Sequence, residues 1–153
     1  MAGRPRRILL VCMGNICRSP TAEEVLRVQA RRAGLALELD SAGTEGYHLG
    51  EPPDARSIRH AAARGYDLSA LRARQVADRD FADFDLLLAA DEQNLAALRR
   101  RCPPAHRPKL ALFLGETALP DPYYGDAPEF EKVLDLVEKR AATLVAEWSR
   151  ATD

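Results

Sequence analysis

Short continuous apolar runs alternate along this chain with stretches whose apolar residues recur every three or four positions. Residues 8–13 are apolar without interruption, the pattern of a strand covered on both faces. Residues 37–41, 84–90 and 109–114 predict three more strands, the third strand containing Leu86-Leu87-Leu88-Ala89-Ala90. Ser19 and Pro20 open a helix as N-cap and first-turn residue. Its apolar positions are Ala22, Val25, Leu26, Ala30 and Ala33, and Gly34 follows as a stop. Residues 54–64, after the Pro52-Pro53 pair and closed by Gly65, predict a second helix. A third spans 91–101 with Asp91 as cap. Phe130, Val133, Leu134, Val137, Ala141, Leu144, Val145 and Trp148 keep a helical period through the last helix.

Strands separated by helices imply right-handed crossovers and a doubly wound parallel sheet, an α/β fold. In such sheets the ligand sits beyond the C-terminal ends of the strands. Residues 12–19, 42–53 and 115–128 leave strand ends there, so the chemistry is expected in those three segments. At 153 residues, without repeats or linkers, the chain is expected to be a single domain, 1–153.

Composition narrows the class without naming it. Hydrophobic residues make up 46%, charged residues 29%, and the net charge is −1, so nothing draws the whole protein to nucleic acid or an anionic membrane. Arg4, Arg6 and Arg7 ahead of the first apolar run imitate a secretory signal. The run is shorter than the roughly 7–15 residues of a signal core, and no stretch approaches the roughly 20 that span a bilayer. Three cysteines without framework spacing predict free thiols in a reducing compartment, and hence a cytoplasmic location. His48, His60 and His106 lack metal-ligand spacing and read as surface residues.

The first of the three segments reads Cys12-Met13-Gly14-Asn15-Ile16-Cys17-Arg18-Ser19-Pro20. A cysteine six positions before an arginine is unspecific alone; its place between a buried strand and a helix start gives it meaning. Gly14 and Asn15 are the residue types that readily take positive φ, and such a turn aims successive N–H groups inward as an anion nest. The helix N-terminus adds positive charge. The same donors favour a Cys12 thiolate, Arg18 offers a planar fork for two phosphate oxygens, and Ser19 can donate to the sulfur as it leaves. A structural cysteine at a strand end is the plain alternative. A nucleotide loop is disfavoured because Gly-x4-Gly-Lys is absent.

Cysteine attack on a phosphotyrosine expels a phenolate whose conjugate acid has a pKa of about 10, which calls for a positioned acid. Asp121-Pro122-Tyr123-Tyr124 stands in the third segment, with Pro122 restricting the backbone of Asp121. By itself Asp-Pro is a common turn dipeptide.

Together, Cys12 through Pro20 and Asp121 through Tyr124 resemble the low-molecular-weight protein tyrosine phosphatase family. Weaker matches lie between them: Asp40-Ser41-Ala42-Gly43-Thr44, Gly50-Glu51-Pro52-Pro53-Asp54, Ala73-Arg74-Gln75 and Asp91-Glu92. The resemblance spans essentially the whole chain. It implies a three-layer, four-stranded parallel sheet with helices on both faces, a phosphate-binding loop after the first strand, no metal and no organic cofactor. It implies Cys12 as nucleophile through a phosphocysteine intermediate, Arg18 as phosphate clamp and Asp121 as general acid and base. Met13, Gly14, Asn15, Ile16, Cys17 and Ser19 then form the cradle, and Asp91 orients Arg18 or simply caps its helix. Tyr47, Tyr123 and Tyr124 are expected to contact the substrate ring.

Two positions depart from the family. Tyr47 stands where tryptophan is frequent, and Leu71 stands where a histidine commonly braces the cradle asparagine, which leaves Asn15 without that brace. Cys17 is either a redox partner that protects Cys12 as a disulfide or a small residue packed under the loop. The expected partners are phosphotyrosine proteins or peptides, a tyrosine kinase or its targets among them, acted on by a monomer that engages neither nucleic acid nor membrane. Competing readings are a phosphoarginine phosphatase, disfavoured by Ile16, a thiol-linked arsenate reductase, disfavoured by the isolation of Cys102, and a non-catalytic phosphate-binding module.

Overall fold

The computed structural model describes residues 4–151; the ends of the expected domain, 1–3 and 152–153, lie outside the described residues. The four apolar runs form strands β1 (Arg7–Cys12), β2 (Glu38–Gly43), β3 (Leu86–Ala89) and β4 (Leu110–Leu112). They pair in parallel in the order β2-β1-β3-β4. Strand order reverses between β1 and β3, so a crevice is expected beyond Cys12 and Ala89, at the switch point.

Because successive side chains on a strand face opposite ways, β1 feeds two separate cores. Ile8, Leu10 and Cys12 pack with Val25, Leu26, Val137, Ala141 and Leu144, from helices α1 (Arg18–Arg32) and α5 (Ala127–Arg150). Leu9 and Val11 pack on the other face with Phe81, Leu87, Leu95 and Leu98. Phe81 belongs to a one-turn helix, α3 (Asp80–Asp83), and the leucines at 95 and 98 to α4 (Glu92–Arg101). Helix α2 (Ala55–Ala62) lies against α5, so helices cover both faces of the sheet. Each fully buried leucine or valine contributes about 1.5–3 kcal/mol through removal from water.

Boundaries differ from the sequence expectation where local chemistry does. Ser19 does not cap α1: the helix begins at Arg18 after Cys17, and the Ser19 hydroxyl bonds elsewhere. Ala33 is exposed, past the end of the stripe, where Leu35 N–H reaches back to Ala30 O and Gly34 takes φ 73°. Helix α5 starts three residues before Phe130, on a capping box in which Asp126 and Glu129 bond each other's backbone N–H. Helix α3 and a 3₁₀ segment, Pro104–Lys109, are too short to show a period in the sequence.

Candidate active site

The loop between β1 and α1 closes in five residues because three neighbours hold it from outside. Asn15 sits at φ 59°, a left-handed conformation that asparagine tolerates better than most residues. Its Nδ2 donates to Ser19 Oγ (2.8 Å) and Ser41 Oγ (3.0 Å), and its Oδ1 accepts from Arg74 N (3.0 Å). Gly14, expected to share the positive φ, does not; it is needed for space. A β-carbon there would sit 3.0 Å from His48 Cδ2. Gly43, at the end of β2, is needed still more, since a β-carbon would lie 2.6 Å from Met13 O and 2.8 Å from Glu45 O.

Four carbonyls at and within the loop are engaged on the outer side. Cys12 O accepts from Thr44 N, Met13 O from Glu45 N, Ile16 O from Asp54 N, and Cys17 O from Thr21 N and Oγ1. Among the described residues, the N–H groups of Met13, Gly14, Asn15, Ile16 and Cys17 meet no acceptor. Unpaired successive amides beside the N-terminus of a 15-residue helix form an anion-binding nest.

Cys12 lies at the strand end, 3% exposed, with its Sγ 2.9 Å from Ser19 Oγ. Arg18 is 4% exposed and fixed along one edge. Its Nη1 donates to Asp91 Oδ2 (2.8 Å) and to Leu119 O (2.9 Å). Asp91 meanwhile caps α4 by accepting from Asn94 N at its other oxygen (2.8 Å), so both readings of this residue hold together. The other terminal nitrogen, Nη2, lies 3.8 Å from Asp121 Oδ2. Asp121 is half-exposed, and its Oδ1 accepts from Tyr123 N (3.1 Å).

These groups open into a cavity of about 240 Å³. Cys12, Gly14, Ile16 and Arg18 line its floor, Asp121 its side, and Tyr47, Tyr123 and Tyr124 its rim. Met13 and Cys17 also line it, whereas Asn15 and Ser19 stand behind the loop, buried, and act on its shape from there. His48, read from sequence as a surface residue, lines the cavity as well; its Nδ1 lies 3.3 Å from Glu51 Oε1. The sequence carried no signal for it beyond its place beside Tyr47.

A sulfur, a buried arginine and a carboxylate around an anion nest, on this sheet order, coincide with a known family. Residues 7–152 match the model of the low molecular weight phosphotyrosine protein phosphatase family. The chain belongs to that family. It is similar to a low molecular weight protein-tyrosine-phosphatase of Streptomyces coelicolor, 42% identical over 92% of each chain. The human low molecular weight phosphotyrosine protein phosphatase is 39% identical, over 84% of this chain and 86% of the human one. A crystal structure of a protein tyrosine phosphatase from Entamoeba histolytica, with Hepes in its active site, superposes with a TM-score of 0.90. That pair is 35% identical over 94% of this chain and 97% of the other.

Within the family, the departure at Leu71 has a structural answer. Leu71 packs against the core, and Asn15 is braced by Ser41 and by the backbone of Arg74. Ser41 in turn donates to Glu23 Oε1 (2.6 Å), and Glu23 pairs with Arg27. Glu23 is 2% exposed; burial pushes its carboxyl above the usual range, while hydrogen bonds from Ser41 and Arg27 pull it back. The stripe of α1 held a signal for it, since Glu23 shares a face with Leu26 and Ala30. Cys17 is buried with Ile16, Ala73 and Phe130. Burial pushes its thiol up to about 12, opposed by a hydrogen bond with Ser57. Cys102 lies in the core on the other face of the sheet from Cys12. Among the described residues, no His, Cys, Asp and Glu side chains cluster to hold a metal ion, and no helix is long and apolar enough to cross a membrane.

Proposed function

We propose that the protein hydrolyses phosphotyrosine in proteins or peptides through a phosphocysteine intermediate, as a single catalytic domain spanning 1–153. The observation that carries this reading is the position of Cys12 on the floor of a cavity whose loop amides are unpaired, with Arg18 and Asp121 beside it. The Cys12 thiolate attacks phosphorus; the sulfur–phosphorus bond forms as the bond to the tyrosine oxygen breaks. Asp121 gives its proton to that departing oxygen. Arg18, held by Asp91, and the amides of residues 13–18 stabilise the equatorial oxygens with donors that need no rearrangement. Water then attacks phosphorus, Asp121 takes its proton, and the sulfur leaves as thiolate, assisted by Ser19. Tyrosine and inorganic phosphate are the products.

Aromatic walls at Tyr47, Tyr123 and Tyr124 suit a flat phenyl ring above the phosphate, and the isoleucine at position 16 adds apolar surface on the floor. The placement of Cys102 across the sheet speaks against a cysteine relay of the arsenate-reductase kind. We infer a monomeric, cytoplasmic enzyme, with free thiols in support of a reducing compartment. Its partners on this reading are phosphotyrosine proteins, a tyrosine kinase or its targets among them. Purified protein should turn over phosphotyrosine peptides in preference to phosphoserine peptides, phosphoarginine and arsenate, and Cys12→Ser should bind a phosphate mimic without turnover. A Cys12→Ser protein that turns over substrate normally overturns covalent catalysis.

A further inference from the structure

The loop carrying Asp121 is anchored at its two ends. Leu119 is tied through its N–H to Ala90 O and through its carbonyl to Arg18, and Asp126 caps α5. Between those anchors the bonds within the loop are Tyr123 N to Asp121 Oδ1 and Gly125 N to Pro122 O. Among the described residues, hydrogen bonds reaching residues 121–125 from outside come from Arg56. Its Nη2 donates to Tyr123 O (2.9 Å) and its Nη1 to Gly125 O (3.3 Å).

Arg56 is itself fixed by Asp54. Asp54 Oδ1 accepts from Arg56 N (2.8 Å) and Nε (3.0 Å), and Oδ2 accepts from Arg56 Nη2 (3.0 Å). The Asp54 N–H donates to Ile16 O (2.8 Å), so the same two residues bind the phosphate loop at one end and the Asp121 loop at the other. The guanidinium also lies 4.6 Å from the ring centroid of Phe130 and 5.7 Å from that of Tyr123. Phe130 packs under the phosphate loop against Ile16 and Cys17, and Tyr123 walls the cavity.

We propose that Arg56, locked by Asp54, is a positioning residue that sets the distance between the phosphate loop and the Asp121 carboxylate. The proposal rests on the reading of Asp121 as the general acid. Arg56 touches no reacting atom; it holds the Tyr123 and Gly125 carbonyls, and Tyr123 N–H holds the carboxylate. An acid displaced by a fraction of an ångström transfers its proton poorly, and the penalty grows with the basicity of the leaving group. A residue that merely stabilises the fold would slow every substrate alike.

The test compares wild type, Arg56→Gln, Asp121→Asn and the double variant on aryl phosphates of graded leaving-group acidity, with thermal unfolding measured in parallel. Arg56→Gln should lower kcat/KM, which reports the step in which the phenol departs, for phenyl phosphate on the order of 10–100-fold, within the range general acid catalysis supplies, with a much smaller loss for the most acidic phenols. Inhibition by inorganic phosphate should change little. In the Asp121→Asn background, Arg56→Gln should add no loss that depends on the leaving group. If Arg56→Gln fails to fold, Arg56→Lys should show the same dependence with a smaller loss, because it keeps charge and stem but not the fork. A leaving-group-dependent loss in Asp121→Asn beside a uniform loss in both Arg56 variants overturns the positioning role alone. A uniform loss in Asp121→Asn overturns the general-acid reading and the positioning role with it.

Discussion

Ser19 Oγ lies 2.9 Å from Cys12 Sγ at the floor of the cavity. Asn15 Nδ2 donates to that same oxygen, which leaves the single Ser19 hydrogen for the sulfur once Cys12 is a thiolate. The polarity continues outward: Asn15 gives its second amide hydrogen to Ser41, and Ser41 gives its own to Glu23. Each serine hydroxyl therefore accepts from Asn15 and donates onward, and the end beside Cys12 is a donor.

Removing that donor should slow the second chemical step more than the first, because the thiolate is the leaving group there. Ser19→Ala loses a hydrogen bond to a charged group, about 1.5–3 kcal/mol, or roughly 10–100-fold in rate. Burst kinetics with 4-nitrophenyl phosphate should show phosphocysteine accumulating. A loss confined to the burst itself would contradict the assignment.

Asn15 combines a network role with a backbone role, and two substitutions separate them. Asn15→Gly keeps the φ of 59° available and loses three hydrogen bonds; Asn15→Ala loses the same bonds and adds the left-handed cost of about 1–2 kcal/mol. Both should lose activity, and urea unfolding should find the alanine variant less stable by about that amount. Equal stabilities would mean that the loop backbone relaxes without its asparagine.

Glu23 should make stability depend on pH in the direction opposite to Asp54 and Asp85. Its folded-state pKa lies above the ordinary value of 4.5, so the folded protein holds this proton longer than the unfolded chain. Its contribution is fully present below the unfolded value and is lost as pH rises through the folded one. Asp54 and Asp85 are lowered, by hydrogen bonds from Arg56 and from the backbone of Arg6, and contribute in the reverse sense. The difference in unfolding free energy between wild type and Glu23→Gln should thus change across the pH range just above 4.5. A flat difference there would remove Glu23 as its source.

Peroxide should attack Cys12 before Cys17, since burial keeps Cys17 protonated with a pKa of about 12. If the loop relaxes to bring the two α-carbons within the roughly 4.4–6.8 Å of a disulfide, oxidation stops at that bond. Wild type should then recover most activity with dithiothreitol, whereas Cys17→Ser should keep a sulfinic or sulfonic mass on the Cys12 peptide. Equal recovery would leave Cys17 with its packing role against Phe130 alone.

The sheet and its covering helices were legible in the sequence because hydrophobic period is a local property. Residues 8–13 and 84–90 announced buried strands, and the stripe from Phe130 to Trp148 announced α5, whose buried face follows it residue for residue. The strand Cys12 leaves, the helix that follows and the loop holding Asp121 came from that pattern together with the two end motifs. What no local pattern contains is a contact between segments far apart in the chain. Gly14 looked like a φ requirement and proved to be room for His48; His48 looked like surface and lines the cavity. The bracing of Asn15 without a histidine comes from Ser41 and Arg74, on segments that meet the loop after the sheet forms. Arg56 reaches Tyr123 across 67 residues of chain. Apolar burial along each segment chose the elements, and the pairing of polar groups between them was decided when packing brought them within hydrogen-bond distance.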